Sequence, residues 1–144
     1  MFGTQLFEIE KYTQTVKIMF SGLFVLLTLL GTSTIMQLAR LRSAWYEAML
    51  AMNQIKDFAM KQSPELAEAF RWQTSTLPPR YKSSSVSYYQ AVEVSLISGL
   101  MFGAAMFFLQ QAFFSITSLN WTISVLSGLF IVYTQLAIYK RILN

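Results

Sequence analysis

The chain has 144 residues, of which 54% are hydrophobic and 12% charged, with a formal net charge of +4. That is too apolar for a soluble domain of this size and fits a small integral membrane protein. It contains no Cys and no His, which removes thiol nucleophiles, disulfides, imidazole bases, zinc sites and His-ligated haem, so no catalytic residue, metal or cofactor is expected. The basic residues flank apolar runs instead of forming a block, so nucleic acid is not an expected partner.

Residues 1–17 precede the first apolar run. That run, "IMFSGLFVLLTLLGTSTIMQL" from Ile18 to Leu38, is uncharged and, at about 1.5 Å per residue, long enough to cross a bilayer core of about 30 Å. Glu8 and Glu10 lie before it and no small-residue cleavage site follows, so an uncleaved anchor is expected in preference to a signal peptide. Ser21, Thr28 and Thr32 share a narrow arc of this helix, and such hydroxyls can bond a carbonyl of their own turn. A slight bend is expected near Gly31.

The helical pattern continues beyond Leu38. Leu41, Trp45, Ala48, Met52, Ile55 and Ala59 recur at spacings of three and four with no Gly or Pro between them, which predicts one helix running on through residues 39–62 as an amphipathic extension outside the bilayer. Ser43, Glu47, Gln54, Asp57 and Lys61 form the polar side, with Asp57 and Lys61 spaced for an ion pair. The apolar stripe is a candidate partner face. A second subunit, a copy of the chain or the segment that follows would each cover it, and packing within a larger assembly is favoured over a self-associating stalk.

Ser63 and Pro64 open a predicted short helix over 63–73. The proline- and hydroxyl-rich stretch 74–87 reads as a loop, and Ser87 with Gln90 as a capping box starting the second span, 88–114. At 100° per residue, Ser95, Gly99 and Gly103 of that span fall on one narrow face. Small residues let membrane helices approach closely, so this is a candidate packing surface. Glu93 lies about 120° round from it, beneath Gln111 on the same line, so span two is expected to meet at least two neighbours.

A hairpin at 115–120 leads to the third span, 121–139, and a short tail, 140–144. Asn120, Ser124, Gly128, Ile131 and Gln135 share one stripe of span three, with Ser124 and Gly128 as candidate packing residues. Trp121 and Tyr139 stand where an aromatic belt is expected. Gln37, Glu93 and Gln135 end at similar depth and are expected to form a polar layer, in which Glu93 is the sole intramembrane carboxylate.

Of the eleven Lys and Arg residues, only Lys11 and Lys17 precede span one, while the other nine lie between spans one and two or in the tail. The positive-inside rule then places the residues before span one outside, and the middle segment and tail inside, with a cytoplasmic membrane as the expected location. The expected fold is an all-α integral membrane protein with three transmembrane helices, the first extended. Two functions fit: a non-catalytic multi-pass subunit that stabilises or tethers a larger membrane complex, and a homo-oligomeric channel or pore-forming effector with a helical stalk. The expected partners are the lipid bilayer and other membrane subunits or copies of the chain.

Overall fold

A computed structural model describes residues 2–65, 70, 73–115 and 117–144 of the chain, with the side chains of 2–9 outside the description. Three α-helices and one 3-10 turn make up the described elements: α1 (Phe2–Gln62), the turn Thr74–Thr76, α2 (Val86–Phe113) and α3 (Ser118–Leu143). All three helices are long and apolar enough to cross a membrane.

α1 is a single helix of 61 residues, about 90 Å long, and it runs without interruption through Gly31 and on to Gln62. Nothing in this sequence breaks it, because no proline occurs before Pro64. α2 packs antiparallel to α1. Lys17 lies at the level of Gln111, Ser21 at that of Ala105, and Thr28 at that of Ser98. α3 returns antiparallel to α2, with Trp121 beside Phe107 and Tyr139 beside Ser87. α2 is thus the central helix, while α1 and α3 run parallel and meet through Thr32 and Gln135.

Ile35, Ala39, Ala91, Tyr139 and Leu143 form the buried cluster that ties the three helices together at the Lys- and Arg-rich end. Much of the remaining apolar surface faces outward, as in Leu26, Leu30, Leu100, Leu129 and Phe130. In a soluble bundle such residues would be turned in; a helix that is apolar all round suits a hydrocarbon surrounding.

Several boundaries differ from the sequence expectation. The cap of α2 is Ser85, not Ser87: Ser85 has extended backbone (φ −89°, ψ 149°) and its Oγ accepts the Tyr88 N–H. Ser87 lies within the helix, and its Oγ accepts from the Tyr139 hydroxyl at 2.9 Å. The hairpin is shorter than 115–120, since α2 ends at Phe113 and α3 begins at Ser118. Asn120 belongs to the first turn of α3 and reaches back to bond the Ser115 carbonyl at 3.0 Å, with its Oδ1 accepting from Thr117. The segment 74–87 is mostly irregular, as expected of a loop, but holds the 3-10 turn and the first residues of α2. Most of the expected short helix at 63–73 lies outside the described residues.

Candidate functional site at the helix contacts

The two glycines of α2 face α3. A Cβ added to Gly99 would stand 2.8 Å from the Gly128 carbonyl oxygen and 2.5 Å from Val132 Cγ2. One added to Gly128 would stand 2.6 Å from the Gly99 oxygen, and one at Gly103 3.0 Å from the Ser124 oxygen. The two backbones therefore approach where neither side has a side chain, and the obstacle to any larger residue is main chain that cannot rotate away. Ser95, Gly99, Ser124 and Gly128 are buried and Gly103 is half-buried. The hydroxyl of Ser95 is satisfied within its own helix by the Ala91 carbonyl at 2.7 Å.

A second face of α2, one residue round, meets α1. Ser98 sits against Gly31, whose missing side chain leaves room for the Ser98 hydroxyl. The Ser21 hydroxyl donates to the Ala105 carbonyl at 2.9 Å, and Phe20 and Phe24 stack on Phe108 with ring centroids 5.8 Å apart. At the far end, Lys17 Nζ donates to the Gln111 carbonyl at 3.2 Å. That carbonyl is in the last turn of α2, where helix carbonyls lack intrahelical partners and a cation is favoured.

The expected polar layer does not assemble. Gln135 is buried, and its Nε2 donates to Thr32 Oγ1 at 2.8 Å, but Gln37 and Glu93 are exposed. The periodicity explains why. Gln37 is two residues from both Ile35 and Ala39, and Glu93 two from both Ala91 and Ser95, all four fully buried; two residues is about 200° of rotation, so both polar side chains point away from the bundle. The Thr32 hydroxyl in turn donates a hydrogen bond to the Thr28 carbonyl at 3.0 Å. The Gln135 Oε1 is buried with no partner, although Gln135 itself shares the inner face with Gly128 and Tyr139.

Tyr139, expected at an interfacial belt, is buried to 1% exposure because α2 continues beside it. Trp121 is exposed, with its ring 4.4 Å from that of Phe107. Burial, with the neighbouring Tyr88 and Tyr139 phenols, pushes the Tyr81 phenol above its ordinary value, so it stays a neutral O–H.

Beyond the bundle the extension of α1 carries two faces. Tyr46 and Asn53 are covered by the returning segment: Arg80 lies over the Tyr46 ring at 5.2 Å and bonds Glu47 at 3.3 Å, and Asn53 Nδ2 reaches the Gln73 carbonyl at 3.4 Å. The sequence reading missed this face. Its signal was present in Tyr46, Met49, Asn53 and Met60, spaced by three, four and seven. The expected partner face lies roughly 120° away and is open: Leu41, Trp45, Ala48, Met52 and Ile55 are exposed and Ala59 half-buried, with Leu41 at 69% and Ile55 at 70%. Asp57 and Lys61 do not pair; Arg80–Glu47 is the one ion pair among the described residues.

Groups suited to catalysis are not gathered anywhere in the described structure. A groove of about 700 Å³ between α2 and α3 is lined by apolar residues and Ser124, whose Oγ is bonded by Gln110. No cluster of three metal-ligating side chains occurs among the described residues. Comparison with known proteins gives no further guide: no family model fits the chain, and no curated protein or solved structure is detectably similar to it.

Proposed function

We propose that the chain is a non-catalytic, three-span membrane subunit whose bundle anchors it in the bilayer and whose α1 extension holds a neighbouring subunit of a larger membrane complex. The observation that carries this is the open stripe Leu41, Trp45, Met52 and Ile55, which stays exposed while the adjacent face of the same helix is covered by the chain's own segment. Most of the stripe, from Trp45 to Ile55, lies past Arg40 and Arg42, beyond the level at which hydrocarbon would cover the outward residues of the bundle. An apolar ridge in water is the mark of an interaction surface. Hydrogen-bonded hydroxyls inside the bundle, a tight α2–α3 contact and the lack of convergent titratable groups among the described residues favour a structural role.

The test is a charged substitution of the stripe, Leu41→Glu with Ile55→Glu, in the full chain expressed in its own membranes. The assembly solubilised in mild detergent should lose its neighbour and shrink, while the helical content and membrane location of the chain are retained. An assembly of unchanged size would refute the role of the stripe. A complex built only of copies of the chain, able to conduct ions when reconstituted, would replace the subunit with the pore-forming oligomer.

A further inference from the structure

A second cavity, of about 650 Å³, opens between α1 and the segment leading into α2, at the Lys- and Arg-rich end of the bundle. Arg42 and Lys82 line it, no carboxylate does, and neither cation has an acidic partner among the described residues. Arg42 is held in place: its Nε donates to the Arg80 carbonyl at 3.2 Å and its guanidinium carbon lies 4.4 Å from the centroid of the Trp45 ring. These two contacts fix the plane of the guanidinium and leave its terminal nitrogens for an anion. Leu38 and Leu41 of α1, beside Arg42, and Val86 at the start of α2 add apolar lining.

Depth decides the class of ligand. The uncharged stretch of α1 ends at Ala39, and Lys140 and Arg141 close α3 at the same end, so on the membrane assignment of the three helices this cavity lies at the headgroup level of the inner leaflet. A site there with two fixed or nearby cations and adjoining apolar lining matches a molecule with an anionic head and acyl chains. Arg80, the other cation of the segment, is already engaged by Glu47. We propose that this cavity is a binding site for an anionic phospholipid of the inner leaflet, with its phosphate held between Arg42 and Lys82 and its upper acyl chain along Leu38 and Val86.

This proposal rests on the membrane assignment made above, and the test separates the two. The full chain in detergent is titrated with phosphatidylglycerol, with phosphatidylcholine of the same acyl chains, or with inorganic phosphate, and bound molecules are counted by native mass spectrometry. Phosphatidylglycerol should be retained over phosphatidylcholine. The double variant Arg42→Gln, Lys82→Gln should lose about thirtyfold in phosphatidylglycerol affinity, and the exposed Lys82→Gln alone about fivefold, whereas Arg141→Gln should retain the preference. Equal retention of both lipids by the unaltered chain, or an unchanged preference in Lys82→Gln and the double variant, would overturn the site and leave the membrane assignment standing. Retention of neither lipid would overturn both. Binding of inorganic phosphate with no lipid preference would assign the cations to a soluble anion instead.

Discussion

Gln135 donates to Thr32 across 2.8 Å, joining the two outer helices of the bundle through a partly buried side-chain hydrogen bond. Thr32 is simultaneously a donor to the Thr28 carbonyl, so its single hydroxyl serves both as acceptor across the interface and as donor within its own helix. The bond lies beside the cluster around Ile35 and Tyr139, one turn closer to the middle of the bundle, and fixes the rotation of α3 relative to α1. A modest energy is expected of it, because such bonds between membrane helices average about 0.6 kcal/mol and reach at most about 1.7 kcal/mol.

A double-mutant cycle measures that bond. Thr32→Val should destabilise the bundle by about 1 kcal/mol by leaving the Gln135 amide unpaired. Gln135→Leu removes both the bonded amide and the unpartnered Oε1, so it should be close to neutral. The coupling between the two, read from unfolding in mixed micelles, should fall near 0.6 kcal/mol. A coupling of zero would separate α1 from α3 at this level.

The glycine contact between α2 and α3 makes a sharper prediction. Gly99→Ile drives a branched side chain into the Gly128 carbonyl, where an added Cβ alone would already stand at 2.8 Å. Overpacking of this kind costs about 1–3 kcal/mol. Leu96→Ile changes shape at nearly constant volume on an exposed position and should cost less than about 1.5 kcal/mol. Equal stability of the two variants would show that α2 and α3 do not pack through these glycines.

How much of this was legible in the sequence depended on which local rule had a rival. The continuation of α1 past Leu38 was legible because no Gly or Pro interrupts the pattern between Gly31 and Pro64, whereas its start at Phe2, ahead of the apolar run, was not. The neighbour of the Gly99 face was not, since small residues announce close approach without naming what approaches. The α2 cap was misplaced because Ser83, Ser84, Ser85 and Ser87 are near-equivalent caps in sequence, and the choice is made by Tyr139 claiming the Ser87 hydroxyl. Gln37, Glu93 and Gln135 were grouped by depth alone. Rotation about each helix axis decides which of them turn inward, and the neighbours of Gln37 and Glu93 at two-residue spacing, all buried, held that information.

Continuity of the long helix is open to a direct test. Ala48→Pro, at an exposed position of the extension, removes one helix hydrogen bond and clashes with the preceding turn, costing about 3 kcal/mol or more. The stripe from Leu41 to Ile55 would then be split into two misaligned halves, and the assembly should weaken while the bundle of α1, α2 and α3 stays folded. An unaltered assembly would show that the extension does not act as one rigid face.

The predicted orientation, with the residues before span one outside, rests on nine Lys and Arg residues on one side and two on the other. In a chain with no native Cys, Tyr12→Cys and Ser84→Cys, both at exposed positions, should react with a membrane-impermeant maleimide from opposite faces of sealed vesicles, with Tyr12→Cys on the outer side. Reaction of both from the same face would exclude three crossings.

The mass of the native assembly tests the proposed role most directly. The chain weighs 16.5 kDa. Native mass spectrometry of the complex extracted in mild detergent should give a protein mass well above that value and not a whole-number multiple of it, with the added subunit released by Leu41→Glu and Ile55→Glu. A mass equal to one chain, or to a whole number of identical chains, would contradict the account.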